Sequence, residues 1–414
     1  MRKSTIRGVS SLAIVIVGGG LAYMLGRHDE RAGEGFWAAS SVNAQEAAKS
    51  PVSPVKPLSK QDVYYPGTEG LAPDEMRVVA CGTGMPNSRP KQAAACFLVE
   101  LGNGDKFIFD IGNGSAERLS ALKIPYDYLD KVFIGHLHSD HFGALGDLWI
   151  GGVIGNRIKP LRVWGPSGHK REFGTAYALE HMQKMFTWDS GSRQGNVDIR
   201  GQVLKVTEFD YKGINQVIYQ ENGVTIRTIP AIHALDGPVS FILEWNGLKF
   251  AFSSDTFPNK WWIKYTAGAD IAIHEAFATP RILIAKQNWT AGAALNVGTQ
   301  VHTSPAQFGK VMSLIKPRMA VAYHFFNDFD TLPEQLAQVR QTYDGPLSMA
   351  TDYMVWNVTK SDIRVRMAVI DEDIWPQPAV AKKLPPDRST RIGFSDFILS
   401  GREPFPEIVQ KIYD

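Results

Sequence analysis

The feature that most constrains this 414-residue chain is a short run in which four candidate metal ligands occupy six positions. His136, His138, Asp140 and His141 stand in Gly-His-Leu-His-Ser-Asp-His, directly after the strand-like run Lys-Val-Phe-Ile. Alternation along an extended chain puts His136 and His138 on one side, and the other two follow as the chain turns into a helix. Imidazole and carboxylate ligands at this density suit a borderline divalent ion such as zinc. The run therefore predicts a metal site at the end of a strand.

The surrounding chain alternates between strand-like and helical patterns. Runs rich in Val, Ile and Phe recur from residue 76 to residue 324, and Asn246-Gly247 between two of them is a strong signal for a tight hairpin. Helical patterns cover 141–150, 170–187, 305–316 and 332–343. Helices mixed with strands that include a hairpin predict an α/β fold with a mixed sheet. Residues 362–371 predict one further strand, and we expect the Pro-rich tail from residue 375 to wrap the domain.

The first run resembles the His-x-His-x-Asp-His signature of the metallo-β-lactamase superfamily. Further ligand-type residues follow in the order of that superfamily, each at the end of a strand-like run: His233, Asp255 and His324. The resemblance implies a four-layer αββα sandwich and two divalent ions, zinc in the first place, with Mn²⁺ or Fe²⁺ as alternatives. It assigns one ion to His136, His138 and His233, the second to Asp140, His141 and His324, and a bridging role to Asp255.

Five further runs look like the tRNase Z branch, which also contains secreted arylsulfatase-like enzymes and small phosphodiesterases. They are Val-Ala-Cys-Gly-Thr-Gly-Met-Pro, Phe-Asp-Ile-Gly-Asn-Gly, Val-Trp-Gly-Pro-Ser-Gly, Ile-His-Glu-Ala-Phe and Val-His-Thr-Ser-Pro. In that branch a Glu–His pair lies beside the metals, and here the pair would be Glu275 and His302. This sequence departs from the pattern because Phe277 stands where threonine is usual, and because Thr303-Ser304 reverses the usual order.

The resemblance implies attack on an ester by a hydroxide that the two metals share. Asp140 would accept the proton of the nucleophile, and His302, polarised by Glu275, would protonate the departing oxygen. We therefore predict an exported dinuclear metal-dependent hydrolase of a phosphodiester or a sulfate ester. The alternative is a lactonase or another acyl hydrolase, because lactonases of this superfamily also keep the bridging aspartate. His138 argues against the di-iron flavoproteins, which carry an acidic residue at that position.

Net charge and export together shape the expectation about partners. The chain has 44 Lys+Arg against 42 Asp+Glu, a net charge of +2. A near-neutral protein lacks the basic character of most nucleic-acid-binding proteins, and an exported one would not meet tRNA. We therefore expect a small-molecule ester as substrate and no nucleic acid. A homodimer is compatible with the sequence.

Two features leave alternatives open. Cys81 and Cys96 lie in neighbouring strand-like runs and would either pair in an oxidising compartment or stay as buried thiols. The region 150–200 carries His169, His181 and an apolar stripe at helical spacing, and would form either core packing or a lid or wall of the site. The sequence does not decide between these structures.

The first residues predict an export signal. Arg2, Lys3 and Arg7 precede an apolar run over 9–26, and charged residues follow this run. This pattern is typical of a secretory signal, and the length also fits an uncleaved anchor that attaches the chain to a membrane. The protein would then be periplasmic or secreted, or anchored in the inner membrane facing the periplasm. We divide the chain into a signal or anchor (1–31), a Pro/Ala-rich linker (32–74), a hydrolase domain (75–358) and a C-terminal extension (359–414).

Overall fold

The computed structural model describes residues 63–406 and residue 408. The predicted export segment 1–31 and most of the predicted linker lie outside the described residues. Among the residues that are described, none of the helices combines the length and the apolar character needed to cross a bilayer.

Two mixed β-sheets form the centre of the fold. The larger sheet has nine strands in the order β1-β16-β15-β2-β3-β4-β5-β6-β7, and the smaller has seven in the order β14-β13-β12-β11-β10-β9-β8. The strands are β1 (Val63–Tyr64), β2 (Met76–Gly82), β3 (Cys96–Leu101), β4 (Lys106–Phe109), β5 (Lys131–Phe133), β6 (Leu161–Pro166), β7 (Leu204–Phe209), β8 (Gln216–Glu221), β9 (Val224–Pro230), β10 (Val239–Trp245), β11 (Leu248–Phe252), β12 (Ile271–Glu275), β13 (Met319–Tyr323), β14 (Leu347–Met349), β15 (Met354–Val358) and β16 (Ile363–Ala368).

Helices cover the outer face of each sheet. Apolar side chains of α1, α3 and α4 pack on the larger sheet, and those of α6, α9 and α10 pack on the smaller. The helices are α1 (Ser115–Ser120), α2 (Ser139–Phe142), α3 (Leu145–Ile154), α4 (Thr175–Met185), α5 (Thr187–Arg193), α6 (Lys260–Tyr265), α7 (Pro280–Gln287), α8 (Ala291–Asn296), α9 (Pro305–Ile315), α10 (Leu332–Val339) and α11 (Asp396–Ser400).

The core between the sheets is largely aromatic. Phe97 of β3 and Phe109 of β4 face Phe252 of β11 across the sandwich, with ring centroids 5.5 and 6.1 Å apart. Tyr323 of β13 meets Phe97 edge-on at 5.2 Å. Such pairs fill the space between two apolar sheet faces and add about 0.5–1.5 kcal/mol each beyond their burial. The layers confirm the predicted αββα sandwich.

Three residues turn sharply where strands end near the ligand-type side chains. Asp110, Ser254 and His324 follow β4, β11 and β13 closely and have φ of 54°, 49° and 69°. Left-handed backbone at non-glycine residues is uncommon and collects at functional sites. These turns bring side chains from both sheets to one edge of the sandwich.

Several elements differ from the sequence-based expectation. Within the predicted helix over 170–187, a 3-10 turn at Arg171–Phe173 precedes α4, and α5 begins only at Thr187. The predicted helix over 141–150 is divided between α2 and α3. The sequence did not predict β7 and β8, which lie at the edges of the two sheets, where polar side chains interrupt the apolar alternation. Cys81 and Cys96 are buried free thiols here, while Ala80 and Gly82 flank a bulge opposite Phe97 and Cys96.

The predicted C-terminal extension (359–414) begins with β16, which belongs to the larger sheet. Beyond β16, backbone N–H groups of the extension hold it to the surface of the domain. Those of Val380 and Ala381 donate to Asp127 Oδ2 at 2.7 and 2.9 Å. Leu384 donates to Asp198 Oδ2 at 3.0 Å. The extension therefore contacts the domain, although its own side chains from residue 383 onward are exposed where they are described.

Candidate metal centre

The first group of ligand atoms converges beside the loop that follows β5. His136 Nε2 lies 3.0 Å from His138 Nδ1, and His233 Nε2 lies 3.1 Å from the same nitrogen. Asp255 Oδ2 lies 3.9 Å from His136 Nε2 and 3.7 Å from His233 Nε2. His136, His233 and Asp255 are buried, whereas His138 is exposed. The structure thus brings together the three histidines that the resemblance assigns to one ion.

The second group shares Asp255 with the first. His141 Nε2 lies 3.4 Å from Asp140 Oδ2 and 3.3 Å from Asp255 Oδ1. His324 Nε2 lies 3.1 Å from Asp140 Oδ2 and 3.3 Å from Asp255 Oδ2. All four residues are buried. Oδ2 of Asp255 faces the first group, and both of its oxygens face the second. Asp255 therefore lies where a residue that bridges two ions would lie.

The spacing of these atoms fits metal coordination better than hydrogen bonding. Ligands about 2.0–2.2 Å from one tetrahedral ion lie roughly 3.2–3.6 Å apart, close to the contacts above. Two buried ligand atoms of the second group, His141 Nε2 and Asp255 Oδ1, have no hydrogen-bond partner among the described residues. Buried polar atoms are nearly always paired, so these two are arranged to meet a cation. The donor atoms of the two groups therefore fit divalent ions.

The protonation states favour the same conclusion. Burial lowers the pKa of His136 well below its ordinary value and that of His233 to about 3, so both imidazoles are neutral. Burial alone would raise the pKa of Asp255, but His141 and His324 hold it well below its usual range. His141 moves the other way: burial opposes its charge, yet Asp255 and Asp140 raise its pKa. The carboxylates around His141 therefore favour a positive charge at this place, and a bound cation would supply one.

Two residues that the sequence analysis missed orient the ligands from behind. Asp110 Oδ2 accepts a hydrogen bond from His141 Nδ1 at 2.6 Å, and its Oδ1 accepts from the Gly135 N–H at 2.7 Å. Ser254 Oγ lies 3.1 Å from His136 Nδ1 and donates to Asp110 Oδ2 at 2.9 Å. Partners of this kind fix the ring orientation and the tautomer of a ligating histidine. Asp110 lies in the run Phe-Asp-Ile-Gly-Asn-Gly, which marked the branch without giving this residue a role, and the signal for Ser254 was a polar residue shortly after a strand.

The predicted Glu–His pair lies beside the second group. His302 Nδ1 is 2.8 Å from Glu275 Oε2, and Glu275 Oε1 accepts from the Thr256 N–H at 2.6 Å. Burial raises the pKa of Glu275 well above its usual value and lowers the pKa of His302, so burial favours the uncharged form of each group. Phe277 stacks on the His302 ring. The contact through Nδ1 leaves Nε2 of His302 free to meet a substrate.

Part of the region 150–200 lines a cavity beside the first group. Glu172, Phe173 and Ala178 form one wall, opposite His136, His138 and the segment 233–238. Met182 packs in the core, but Met185 and Trp188 are 73% and 82% exposed, so the apolar stripe is not core along its whole length. The structure thus supports both expectations for different parts of this region.

His274 is a core residue and does not belong to either ligand group. It is buried on β12 against Trp262 and Phe308, with ring centroids 5.0 and 6.1 Å away. Burial lowers its pKa to about 4, so it is a neutral core residue. Its ring faces the helices outside the smaller sheet, on the side away from the ligand groups.

Comparison with known proteins gives the family. The family described as Anti-Pycsar protein Apyc1 matches residues 76–283, which is half of the chain. The chain belongs to this family. A Ribonuclease Z of Mycolicibacterium gilvum (strain PYR-GCK) is 30% identical over 208 residues, which cover 48% of this chain and 68% of the relative.

Solved structures show the same fold. The metallo-β-lactamase fold protein YhfI from Bacillus subtilis is 17% identical, with a TM-score of 0.51, and the match covers 69% of this chain and 100% of that one. A long form RNase Z from yeast is 15% identical, with a TM-score of 0.50, over 77% of this chain and 47% of that one. The Anti-Pycsar Apyc1 family member described here therefore lies in the tRNase Z-like branch of the metallo-β-lactamase superfamily, as predicted. This membership also confirms the predicted enzyme class, a metal-dependent hydrolase of ester bonds.

One expectation about partners is wrong. We expected no nucleic acid, but relatives at about this identity are named Ribonuclease Z. The error arose because net charge sums over the whole chain, whereas a phosphodiester is bound at one place. A buried group of histidines that can hold cations attracts a phosphate locally, whatever the total charge of the surface.

Proposed function

We propose that this chain is an exported dinuclear metal-dependent phosphodiesterase. The observation that carries the proposal is the 2.8 Å contact between His302 Nδ1 and Glu275 Oε2, beside two ligand groups that share Asp255. Hydrolysis of a phosphodiester needs charge stabilisation at the phosphoryl group and a proton for the leaving oxygen. The two ligand groups provide places for the first, and the Glu–His pair provides the second.

Each residue has a defined part in the reaction. Two divalent ions bound here would lower the pKa of a water molecule and stabilise charge on the phosphoryl oxygens. Asp140, whose buried Oδ1 has no partner among the described residues, accepts the proton of the attacking water. The new P–O bond forms as the bond to the leaving oxygen breaks, and His302 Nε2 donates a proton to that oxygen. Glu275 holds the opposite nitrogen and balances the change in charge on the ring.

Zinc is the metal that we propose. The first group offers three imidazole nitrogens and a carboxylate oxygen, and the second offers two of each type of donor. Borderline ions of the first transition series prefer such mixed nitrogen and oxygen sets, whereas Mg²⁺ and Ca²⁺ prefer oxygen alone. Manganese and iron remain alternatives that metal analysis of the purified protein separates from zinc.

The substrate proposal covers phosphodiesters of nucleotides, including RNA. The names of the Ribonuclease Z relatives favour an RNA diester as one candidate. Sulfate esters and lactones are the competing substrates, since a water nucleophile beside two ions would attack either. A lactone carries no phosphoryl or sulfuryl group, and its leaving oxygen stays on the acyl product. Rates on the three classes therefore distinguish these chemistries.

The test is a set of rates with purified, zinc-loaded protein. The substrates are bis-p-nitrophenyl phosphate, p-nitrophenyl sulfate, a simple lactone and a short RNA. The wild type is compared with Asp255→Ala, which removes the oxygen donors common to both groups, and metal content is measured on both proteins. We expect phosphodiester turnover that Asp255→Ala abolishes, with fewer than two bound ions per chain. Turnover of the lactone or the sulfate alone, or full activity of Asp255→Ala, would contradict the proposal.

Export is part of the proposal and rests on the sequence alone. The basic start and the apolar run over 9–26 are the supporting features, and they lie outside the described residues. A fusion of residues 1–60 to a reporter that is active only in the periplasm tests this part, with the same fusion carrying Arg2, Lys3 and Arg7 changed to Glu as the control. A cytoplasmic signal from the unchanged fusion would remove export from the proposal and leave the chemistry untouched.

A further inference from the structure

A cavity of about 330 Å³ opens directly onto the first ligand group. Its floor includes His136, His138 and His233. This volume is at the lower end of the roughly 300–1,000 Å³ that small-molecule sites occupy. A group in this cavity would therefore contact the reacting centre and would be no larger than a compact ring system.

The walls of the cavity suit a flat apolar group. Leu137 and Phe142 come from the first ligand loop and α2, Phe173 and Ala178 come from the region before and within α4, and Leu235 comes from the loop after β9. Phe173 and Leu235 are 44% and 50% exposed in this structure, which leaves apolar surface to be covered when a group binds. Covering such surface is favourable in proportion to the apolar area that is removed from water.

The position of the cavity indicates which part of a diester it holds. Its lining includes the three histidines of the first group but neither His302 nor Glu275. The ring of His302 contacts that of His233, with centroids 4.6 Å apart, and its Nδ1 lies 3.8 Å from Oδ2 of Asp255, the carboxylate that the two groups share. The leaving oxygen must face the proton donor, so the group in the cavity is the one that stays on phosphorus.

Two carboxylates give the cavity a preference in charge. Glu172 and Asp236 line it together with the apolar walls, and both are exposed. Asp236 Oδ2 accepts a hydrogen bond from Tyr211 Oη at 3.2 Å, whereas Glu172 has no hydrogen-bond or ion-pair partner among the described residues. A negatively charged ligand group would be repelled by these carboxylates and would bind more weakly. A ligand group with N–H donors could form hydrogen bonds to them and would bind more tightly.

We propose that this cavity binds the retained ester group of the diester and selects a planar, uncharged or N–H-bearing group there. The proposal rests on the proposed phosphodiesterase function and adds the residues that set its specificity. Phe173 and Leu235 provide the apolar contact, and Glu172 disfavours a second negative charge. None of these residues takes part in proton transfer or metal binding.

A series of diesters with one leaving group tests the proposal. Each substrate carries p-nitrophenolate as the leaving group, and the retained group is methyl, phenyl, thymidine 5′-yl or 4-carboxyphenyl. We expect kcat/KM for the phenyl and thymidine diesters to exceed that for the methyl diester about tenfold, and the carboxyphenyl diester to fall several-fold below the phenyl diester. Equal kcat/KM across the series would overturn the cavity proposal and leave the phosphodiesterase intact. No turnover of any diester would overturn both.

Variants locate the effect in the cavity. Phe173→Ala should remove most of the advantage of the phenyl diester through KM, with the methyl diester unchanged. Glu172→Gln should raise kcat/KM for the carboxyphenyl diester about threefold and leave the phenyl diester unchanged. Phe397→Ala, at an 83% exposed phenylalanine of α11, is the matched control. A loss of the same size on all four substrates with either cavity variant would overturn the assignment of these residues.

Discussion

The ring of Phe277 lies flat against the imidazole of His302, with centroids 3.9 Å apart and planes 6° from parallel. The Glu275 contact at 2.8 Å fixes how the same imidazole is rotated in its own plane. Together the two contacts hold the free Nε2 in one direction. Members of this branch usually have threonine where Phe277 stands, so the aromatic wall is a property of this chain.

Phe277→Leu should therefore weaken proton donation by His302. An aromatic pair contributes about 0.5–1.5 kcal/mol, which corresponds to a roughly two- to tenfold loss of kcat. The loss should appear with an alkyl leaving group and be smaller with p-nitrophenolate, which departs without a proton. Phe308→Leu is the control, because that buried ring lies against His274 on the outer face of the sheet. Equal losses for the two leaving groups would mean that the stacking serves stability alone.

His302→Ala should separate metal binding from proton transfer. Neither ligand group needs His302, so both ions should remain bound as measured by metal analysis. We expect kcat for a diester with an alkyl leaving group to fall by about 10²–10⁴-fold, and for the p-nitrophenyl diester by less than about tenfold. The kcat of Glu275→Gln for the alkyl diester should lie between the values for the wild type and for His302→Ala. A uniform loss across leaving groups would refute the role of general acid.

Asp110→Asn tests the support behind the second ligand group. The carboxylate of Asp110 accepts a hydrogen bond from His141 Nδ1 at 2.6 Å. The neutral amide of the asparagine variant would form a weaker hydrogen bond to the ring. Loss of such a partner typically lowers metal affinity about 10–100-fold. Competition with a fluorescent chelator measures this affinity, and Asp130→Asn, near Lys131 and Arg162, is the matched control. Unchanged zinc affinity would show that the turn after β4 positions His141 without the charge.

The convergence of the candidate ligand residues was predictable because most of them follow a strand-like run and all belong to residue types that bind metals. His233 and His324 needed the signature at 136–141 to become significant, since a single histidine after a strand is common. The roles of Asp110 and Ser254 could not be found in the same way. Asp110 lies in the run Phe-Asp-Ile-Gly-Asn-Gly, but that run indicated a family branch and not a contact, and one serine after a strand is ordinary turn chemistry. Their role depends on the approach of two sheets that are far apart in sequence.

The cavity and the class of partner were harder to predict from the sequence, for a different physical reason. Phe173 and Leu235 are separated by more than sixty residues, and only the folded chain shows that they face one cavity. β7 and β8 escaped prediction because edge strands bury one face at most and carry polar residues on the other. Net charge misled the expectation about nucleic acid, since a local site can bind phosphate on a neutral protein.

Asp198→Ala should loosen the C-terminal extension. The Asp198 carboxylate pairs with Arg200 and accepts the Leu384 N–H at 3.0 Å, and the Arg200 hydrogen bond lowers its pKa to about 2. A lowered pKa stabilises the attachment above about pH 4 and loses that effect as the pH falls toward 2. Loss of one such hydrogen bond costs about 1 kcal/mol, so we expect roughly fivefold faster proteolysis within 385–395 at pH 7. Asp344→Ala, at an exposed carboxylate, is the control. If cleavage of the wild type is as slow at pH 2.5 as at pH 4.5 with an acid-active protease, the carboxylate does not hold the extension.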